Sequence, residues 1–327
     1  MQLRAQLIKP DPSQRQREES ARLLPDVIKG LHQPIKQLSP IWFYDERGSQ
    51  LFDAICETPE YYLTCTELSI MDKHASAMAR AIGAHAMLLE YGSGTSLKTR
   101  ILLDHLEDPD AYVPVDIARE HLLDAAGALA REYPGLEIVP ICADFTQPFR
   151  MPARVARAER RVVYFPGSTI GNFERSDAIQ LLRRMRVLAG PHGAVLIGVD
   201  LKKDARVLEA AYNDAAGVTA EFNLNALEHL NAALDATFDT RQFKHRAVWS
   251  EEHSRIEMHL ISLRDQHVTI AGYPIEFKKD EYILTEYSHK YTFETFTALA
   301  HMADLQVTEV WTDANRFFSV QLLQGKH

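Results

Sequence analysis

The amino-acid sequence predicts an α/β fold, built on a doubly wound and mainly parallel sheet, with a segment of long helix and antiparallel strands inserted before its last strands. In the middle of the chain, short apolar runs alternate with stretches of helical apolar spacing. The alternation stops after Asp200, and the chain closes with two further apolar runs around a turn-like segment. Buried strands joined by helices are typical of a parallel sheet that is covered on both faces.

The predicted elements follow one another in chain order. Residues 1–19 are polar and charged, and we expect a flexible N-terminal arm there. From about residue 21 to residue 82 the spacing is helical, with interruptions at Pro34, Pro40 and Pro59. The predicted strands of the sheet are Met87–Tyr91, Tyr112–Val115, Leu136–Ile141, Val162–Phe165 and Ala194–Val199, and the predicted helices between them are Lys98–Leu106, Glu120–Glu132 and Ser176–Leu188.

The pattern after the fifth strand is different. Asp204–Ala236 has the spacing of one long helix, and helical spacing returns at Thr292–Ala303. The segments that look like strands of an antiparallel insert are Arg255–Leu263, His267–Tyr273 and Ile275–Phe277. The chain closes with the apolar runs Gln306–Trp311 and Phe317–Leu323. The sheet is therefore predicted to be split, with the segment near 202–290 inserted before its last strands.

Composition limits the class of protein. The 327 residues are 46% hydrophobic and 25% charged, as in ordinary globular proteins, and the net charge is -9. Binding to a phosphate backbone normally needs a basic surface, so nucleic acid is not an expected partner. Cys56, Cys65 and Cys142 form no CxxC pair, and no run approaches the roughly 20 apolar residues that span a bilayer. We expect a soluble, cytoplasmic monomer that does not bind membranes.

A glycine loop follows the first predicted strand. Glu90 ends that strand, and Gly92-Ser93-Gly94 then leads into the helix that carries Lys98. Glycines let a backbone turn sharply and approach a ligand closely, which is how nucleotide-binding loops are built. A tight strand-to-helix turn without a ligand has the same local pattern, so the loop alone is weak evidence.

Acidic residues after the next two strands favour a nucleoside-type cofactor. Asp116 ends the second strand, where a carboxylate accepts hydrogen bonds from ribose hydroxyls. Asp144 and Phe145 follow the third strand and offer a carboxylate for the adenine amino group and an aromatic face for the ring. The third glycine of a dinucleotide fingerprint is missing, because position 97 is Leu. The pattern favours S-adenosylmethionine over a dinucleotide.

The fourth strand runs into the turn Pro166–Asn172 at the carboxyl edge of the sheet, where ligand sites of α/β proteins form. Glycines such as Gly167 leave backbone donors accessible, and Asn172 can donate to a carboxylate or accept from an amine. Asn172 can equally be the N-cap of the next helix. From the residues alone, neither the ligand-binding nor the N-cap interpretation of Asn172 is favoured.

Seven motifs in a fixed order resemble the histidine-specific methyltransferase family. They span residues from about 40 to 320, nearly the whole globular part of the chain. The resembling stretches are Trp42–Asp53, Thr58–Tyr62, Glu90–Thr99, Phe165–Phe173, Tyr212–Thr219, Glu257–Leu260 and Thr285–Ser288. The best-known member of that family makes the trimethylated histidine betaine of the ergothioneine pathway.

The resemblance implies a class I Rossmann-like methyltransferase domain with a doubly wound sheet and a second, α+β substrate-binding domain. We assign the first to 67–201 and 291–327, and the second to 20–66 and 202–290. The cofactor-binding residues it implies are those of the glycine loop and the strand ends. They are Glu90, Gly92, Ser93, Gly94, Lys98, Asp116, Asp144 and Phe145.

The resemblance also implies substrate-binding residues. In the family, an asparagine and a tyrosine hold the substrate carboxylate, which correspond to Asn172 and Tyr212. A glutamate and a serine two residues apart hold the imidazole, which correspond to Glu286 and Ser288, and residues two apart on an extended chain face the same way. Further residues in the matching motifs are assigned to the substrate pocket: Tyr44, Tyr61, Gly167 and Met258. Tyr44 is the candidate proton acceptor from the amine, hence the candidate catalytic residue.

The implied activity is transfer of methyl groups from S-adenosylmethionine to the α-amino group of L-histidine, up to trimethylhistidine (hercynine), the first step toward ergothioneine. Two alternatives stay open: a methyltransferase of the same family acting on another amino acid or a histidine derivative, and a non-catalytic ligand-binding protein. No metal is expected, since His253 and His259 flank Glu257 without an HExxH pattern. Gly92-Ser93-Gly94 has the wrong spacing for a hydrolase.

Overall fold

A computed structural model of the chain describes residues 12–94, 96–153, 155 and 158–326, with side chains from residue 22 onwards. The helices of the described residues are α1 (Pro12–Leu31), α2 (Glu46–Cys56), α3 (Tyr62–Ile82), α4 (Leu97–Leu103), α5 (Arg119–Glu132), α6 (Arg175–Ala189), α7 (Ala205–Ala211), α8 (Val218–Leu234) and α9 (Phe293–Met302). The strands are β1 (Lys36–Gln37), β2 (Ala86–Tyr91), β3 (Ala111–Asp116), β4 (Glu137–Ile138), β5 (Ile141–Cys142), β6 (Arg160–Phe165), β7 (Ala194–Asp200), β8 (Phe243–Ser250), β9 (Arg255–Ser262), β10 (Gln266–Ile270), β11 (Tyr273–Phe277), β12 (Tyr282–His289), β13 (Leu305–Thr312) and β14 (Phe318–Gly325).

The chain divides into two compact units. The sheet unit consists of Cys56–Tyr212, Trp249–Ile256 and the described residues from Tyr287 onwards. The insert unit consists of the described residues up to Ile55, Asn213–Val248 and Glu257–Glu286. The predicted boundaries had placed residues 56–66, 202–212, 249–256 and 287–290 outside the sheet domain. The first two segments lie in the sheet unit because α3 packs on β7 and β14 and because side chains near residue 203 bond to the end of β7. The other two do so because Arg255 pairs with Glu174 and Lys290 pairs with Asp200.

The sheet unit contains one eight-stranded sheet, with strand order β13-β14-β7-β6-β2-β3-β4 and β5 paired with β3. Strands β2, β3, β6 and β7 are mutually parallel, whereas β14 runs antiparallel to β7 and to β13. The predicted α/β class, the doubly wound sheet and the terminal hairpin that completes it are confirmed.

Apolar runs in the central strands result from burial of both faces of the sheet. In β2, Met87, Leu89 and Tyr91 pack into one hydrophobic cluster with side chains of α6 and α9. Leu88 of the same strand packs into the opposite cluster with side chains of α3 and α4. Alternate residues of a strand point to opposite faces, so a strand covered on both sides needs apolar residues throughout.

Three predicted elements are wrong in their extent. The helix expected over 204–236 is two helices, because the Asp214 carboxylate accepts hydrogen bonds from the N–H groups of Val218 and Thr219 at 2.8 Å and Gly217 takes a φ of +77°. The strand expected over 136–141 is divided into β4 and β5 around Pro140, which has no N–H to donate.

The third difference concerns the predicted N-terminal arm. Helix α1 begins at Pro12, so residues 12–19 of that segment are helical. Residues 1–11, the remainder of the predicted arm, lie outside the described residues.

The insert unit contains most of a four-stranded sheet with the order β1-β12-β9-β8 and the separate antiparallel hairpin of β10 and β11. The ends of β8 and β12 and the start of β9 are assigned to the sheet unit. The sequence had not predicted β8. Helix α8 packs against the segment before α2, where the rings of Phe43 and Phe222 stack with centroids 4.5 Å apart. Within the described part of the chain, no helix is both long enough and apolar enough to cross a membrane.

Candidate active site

The glycine loop after β2 leaves room for a ligand. Gly92 and Gly94 have φ angles of +70° and +45°, and a Cβ built on either would meet no described atom within 4 Å. The Ser93 hydroxyl is buried and has no hydrogen-bond partner among the described residues. Gly92 donates its N–H to the carbonyl oxygen of Val115 at 2.9 Å, which fixes the loop beside the end of β3. Open backbone and an unpartnered buried hydroxyl fit a bound polar group.

The Glu90 side chain links the start of this loop to residues of α4 and β3. Its carboxylate is buried and accepts hydrogen bonds from the Thr99 hydroxyl at 2.6 Å and from the Tyr112 hydroxyl. Burial raises the pKa of Glu90 to about 7, although the two hydroxyl donors act in the opposite direction. Glu90 therefore supports the loop from inside the protein, and its contact with a cofactor stays a prediction.

The other predicted cofactor acids lie at the same edge of the sheet. In the pairing of β3 with β5, Asp116 is opposite Cys142, so Asp144 follows two residues later at that edge. Asp116 accepts a hydrogen bond from the Ala118 N–H at 2.9 Å, and Asp144 accepts from the N–H of Thr146 at 2.8 Å. Each acid therefore caps a local turn through one oxygen, and this leaves the carboxylates fixed at the sheet edge.

Phe145 lies against the core at that edge. Its ring stacks on the ring of Tyr91, with centroids 5.0 Å apart and planes 15° apart, and the side chain is half-buried. A stacked ring held in this way is restricted in orientation, as an aromatic platform for a flat ligand must be.

A buried glutamate that the sequence did not reveal connects the loop region to the turn after β6. Glu67 of α3 is fully buried, and its carboxylate pairs with the Lys98 ammonium at 2.5 Å. The same carboxylate accepts the N–H of Gly167 at 2.9 and 3.1 Å. The expectation that Gly167 leaves its backbone donor accessible is therefore wrong. Gly198 makes room for this arrangement, since a Cβ there would lie 2.4 Å from a Glu67 oxygen.

The turn after β6 packs directly on its neighbours in the sheet unit. Ser168 accepts the N–H of Asp200 at 2.8 Å, and a Cβ at Gly171 would lie 2.7 Å from the carbonyl oxygen of His289. Asn172 ends the 3₁₀ turn and is half-buried. The N-cap of α6 is Glu174, so the alternative that Asn172 caps this helix is wrong.

Three of the predicted substrate residues come together near this turn. The rings of Tyr61 and Tyr212 meet edge to face, with centroids 6.0 Å apart. The Tyr212 hydroxyl and the Ser288 hydroxyl share a hydrogen bond of 2.7 Å, and both side chains are buried. Tyr61 precedes α3, Tyr212 ends α7 and Ser288 lies in β12, so three separate elements contribute to the cluster.

A buried charged cluster lies directly against these hydroxyls. The Asp200 carboxylate, at the end of β7, pairs with the ammonium groups of Lys203 at 2.6 Å and Lys290 at 2.7 Å and accepts the Tyr62 hydroxyl at 2.7 Å. Lys290 also donates to the hydroxyls of Tyr212 at 2.9 Å and Ser288 at 2.8 Å. The side chains of Asp200 and Lys290 are fully inaccessible to solvent.

Burial and pairing oppose each other in this cluster. Burial disfavours the charged form of Asp200, but the two ammonium groups outweigh it, and the pKa of Asp200 is lowered. Burial likewise disfavours the ammonium of Lys290, but the Asp200 carboxylate keeps its pKa above the ordinary value. For Lys203 burial prevails and lowers the pKa to about 8. The Asp200 carboxylate is therefore shared by two lysine side chains, and Asp313 acts on Lys203 in the same direction as Asp200.

The remaining predicted substrate residues belong to the insert unit. Tyr44 is 37% exposed, and its ring meets the rings of Phe52 and Phe222 at centroid distances of 6.1 and 6.0 Å. The next residue, Asp45, accepts the Gly48 N–H at 2.7 Å and the Asn225 side-chain amide at 2.8 Å, which fixes the backbone at Tyr44.

Two more of these residues lie on the sheet of the insert unit. Met258 is buried in β9, and its carbonyl oxygen accepts the Thr285 hydroxyl at 3.0 Å. Glu286 is half-buried on β12, two residues before Ser288, so the two side chains leave the same face of this strand.

Comparison with known proteins identifies the chain. Residues 23–325 match the family described as histidine-specific methyltransferase, SAM-dependent. The chain belongs to this family. It is 41% identical over 302 residues to the histidine N-alpha-methyltransferase of Mycolicibacterium smegmatis, a match that covers 91% of this chain and 93% of that protein.

Two further relatives have names that refer to histidine methylation or to ergothioneine biosynthesis. The histidine N-alpha-methyltransferase of Mycobacterium tuberculosis is 39% identical over 302 residues, covering 91% of this chain and 93% of that protein. Ergothioneine biosynthesis protein 1 of Neurospora crassa is 32% identical over 292 residues, covering 86% of this chain and 32% of that protein. The family resemblance and the S-adenosylmethionine-dependent methyltransferase class are confirmed.

The residues of the sheet unit fit the cofactor of the family. Positive-φ glycines with open space, the unpartnered Ser93 hydroxyl and the carboxylates of Asp116 and Asp144 form one edge of the sheet. Among the described residues, no group of three or more His, Cys, Asp or Glu side chains is placed so that it could hold a metal ion.

Sequence reasoning missed Glu67, Asp200, Lys203 and Lys290. Asp200 could have been found from the sequence. It follows the predicted strand Ala194–Val199, just as acidic residues end or follow the first three predicted strands. Lys290 lies two residues after Ser288 and so shares its face of the extended chain. Glu67 lies within a helix with ordinary amphipathic spacing, and nothing in its local sequence distinguishes it from a surface glutamate.

Proposed function

We propose that this chain transfers methyl groups from S-adenosylmethionine to the α-amino group of L-histidine, up to trimethylhistidine (hercynine), in the first step toward ergothioneine. The proposal is supported by the family match and by the 41% identical relative, of whose length the match covers 93%. The structural observation that carries the proposal is the hydrogen bond between the buried hydroxyls of Tyr212 and Ser288, two residues expected to contact substrate. The enzyme is further proposed to be a cytoplasmic monomer.

The cofactor residues of the proposal are those at the carboxyl edge of β2, β3 and β5. S-adenosylmethionine, when bound, supplies an electrophilic methyl group on a sulfonium. The Gly92–Gly94 backbone and the Ser93 hydroxyl offer polar contacts, Asp116 and Asp144 offer acceptors for ribose and adenine groups, and Phe145 offers a ring face. Lys98 offers a cation for a carboxylate, and Glu67 holds that cation in place.

The substrate residues divide by chemistry. Asn172 and Tyr212 are proposed to hold the substrate carboxylate, because an amide N–H and a hydroxyl donate well to an anion. Glu286 and Ser288 are proposed to hold the imidazole. A carboxylate that accepts a ring N–H selects imidazole over an apolar ring, which would leave that carboxylate unpaired.

The amine must be neutral to attack a methyl group, so the chain has to accept a proton from the histidine ammonium. Tyr44 is the proposed acceptor, directly or through a water: its oxygen takes the proton of the ammonium while its own hydroxyl proton passes to solvent, so that the tyrosine stays neutral. The aromatic rings beside it, Phe52 and Phe222, are suited to hold a methylated ammonium through cation–π attraction. Positioning of the amine, rather than activation of a bond by the protein, is the main contribution of these residues.

Mass spectrometry of the products tests the proposal. Purified protein with L-histidine and S-adenosylmethionine should yield histidine carrying one to three added methyl groups. No mass gain with histidine would refute the proposal, and a gain with a different member of a panel of amino acids and histidine derivatives would establish the alternative substrate. Binding of both ligands without any product would establish the non-catalytic alternative.

A variant tests the imidazole assignment separately. Glu286→Ala should raise the KM for histidine at least tenfold, because a charged hydrogen bond to the ring is lost. Glu276→Ala, an exposed glutamate on the β11 hairpin, is the matched control and should leave KM unchanged. An unchanged KM in Glu286→Ala would remove the imidazole assignment.

A further inference from the structure

The buried carboxylate of Glu67 accepts hydrogen bonds from two segments that are far apart in the sequence. Both of its oxygens lie within hydrogen-bond distance of the Gly167 N–H, at 2.9 and 3.1 Å, and one pairs with the Lys98 ammonium at 2.5 Å. Lys98 lies in the first turn of α4, after the glycine loop, and Gly167 lies in the turn after β6. All three residues belong to the sheet unit. The Gly167 N–H therefore orients the carboxylate, and the carboxylate in turn fixes the ammonium.

Gly198 shows that the fold is adapted to this carboxylate. It lies within β7, which is buried along its whole length, and a glycine in the interior of a strand weakens the strand. A Cβ at this position would lie 2.4 Å from a Glu67 oxygen and 3.1 Å from the Gly167 nitrogen. A buried ion pair adds little net stability compared with well-packed apolar residues. Stability alone therefore does not account for a buried glutamate and a strand glycine at the same place, whereas a role in ligand binding accounts for both.

Lys98 keeps hydrogen-bonding capacity for a ligand. Its ammonium has three N–H groups, and among the described residues only Glu67 accepts one of them. Its side chain is 18% accessible, so the ammonium is partly open to a ligand. A Cβ built on Gly167 would lie 3.8 Å from the ammonium nitrogen, which puts this cation beside the turn after β6. A fixed cation with two remaining N–H groups suits the two oxygens of a carboxylate.

The charges near Lys98 argue for positioning rather than for simple attraction. Glu67 balances the ammonium, and Lys98 is also close enough to the Glu90 carboxyl to act toward a lower pKa there, against the effect of burial. The cation is therefore not in excess over its carboxyl neighbours before a ligand binds. A lysine side chain is flexible, and fixing it in advance removes an entropy cost that binding would otherwise carry. The contribution of Glu67 is to hold the ammonium in one place.

We propose that Glu67 is a positioning residue that holds Lys98 for the cofactor carboxylate and so makes the site select ligands with the intact amino-acid end of S-adenosylmethionine. This inference rests on the proposed function, because it assumes that Lys98 meets the cofactor. Glu67 acts through Lys98 and is assigned no contact of its own with the cofactor.

The experiment compares the binding of S-adenosylhomocysteine with that of methylthioadenosine, which keeps the adenosine and the sulfur but lacks the amino-acid end. Calorimetry should show that the wild-type protein binds S-adenosylhomocysteine at least about tenfold more tightly. In Glu67→Gln the Kd for S-adenosylhomocysteine should rise about tenfold, whereas the Kd for methylthioadenosine should change less than about threefold. Glutamine offers a single oxygen, so its NH2 group must face either the Lys98 ammonium or the Gly167 N–H, and a donor opposite a donor releases the lysine.

A shorter acid and a double variant test the same point in other ways. Glu67→Asp keeps the negative charge but is too short to bond to Lys98 and Gly167 together, so at least about threefold of the preference should be lost. This variant tests the inference if Glu67→Gln does not fold. In a Lys98→Met background, Glu67→Gln should cause no further loss of affinity for S-adenosylhomocysteine, because Glu67 acts through Lys98.

Asp72→Asn is the matched control. It makes the same change from acid to amide on the same helix, α3, but at an exposed position. The Kd values of both ligands should stay at their wild-type levels in this variant.

The outcomes separate the inference from the proposed function. If the wild-type protein binds neither ligand, the cofactor assignment of the proposed function fails, and the inference fails with it. If the wild-type protein binds both ligands equally, or if folded Glu67→Gln or Glu67→Asp keeps the wild-type preference or binds S-adenosylhomocysteine more tightly, the inference is overturned and the proposed function stands. An equal loss of both ligands in Glu67→Gln also overturns it, because Glu67 then has a merely structural role. Binding as expected without methylation of histidine refutes the proposed function alone.

Discussion

Replacing Glu90 by glutamine should make the protein more stable at high pH than the wild-type protein. The pKa of this buried carboxyl is raised from an ordinary 4.5 to about 7. Such a rise corresponds to about 3 kcal/mol, because a pKa change of one is worth about 1.4 kcal/mol. The folded state binds the proton more tightly than the unfolded state, so this stabilisation is full below pH 4.5 and is lost as pH rises through about 7.

Glutamine stays neutral and still offers an oxygen to Thr99 and Tyr112, so Glu90→Gln should lack this dependence. Between pH 5 and pH 8, its free energy of unfolding relative to the wild-type protein should rise by about 2 to 3 kcal/mol. Urea unfolding at both pH values measures the difference, and Glu107→Gln, at an exposed position, controls for loss of a negative charge. Parallel pH dependence of the wild-type protein and Glu90→Gln would refute the reasoning.

Three further substitutions test the packing and the loop. Asp200→Asn should lower the free energy of unfolding by about 3 to 5 kcal/mol in urea, because two buried ammonium groups lose their carboxylate; a shift below about 1 kcal/mol would contradict this. Gly48→Ala should lower Tm clearly, since its Cβ would lie 1.6 Å from the Phe43 carbonyl oxygen, whereas Gly135→Ala meets nothing within 4 Å and should not. Ser93→Ala should leave Tm unchanged but weaken S-adenosylmethionine binding about fivefold by calorimetry, and equal affinity would exclude Ser93 from the site.

The sheet was predictable because both of its faces are buried. Runs such as Val162–Phe165 are apolar at every position, and this pattern depends only on the local sequence. The split of the expected long helix was not predictable in this way. It depends on Asp214 turning its carboxylate toward two N–H groups of α8, which competes with helical continuation only in the folded chain.

The candidate site was likewise predictable only where the information lies in the local sequence. The family motifs contained Tyr61, Tyr212 and Ser288, which the structure brings together, and the loop glycines, which have open space beside them. Partners from distant parts of the chain were not predictable. Asp200 and Lys290 are 90 positions apart in the sequence, and their pairing depends on where β12 ends relative to β7.

The position of β14 has a consequence for how the chain folds during synthesis. Strand β14 lies between β7 and β13, and its Phe318 pairs with Asp200, although well over a hundred residues separate the two strands in the chain. While the ribosome is producing that stretch, one edge of β7 has no partner strand to cover its backbone groups. An apolar strand with an open edge pairs readily with other chains, so we expect nascent or truncated chains that lack β14 to aggregate and to depend on chaperones.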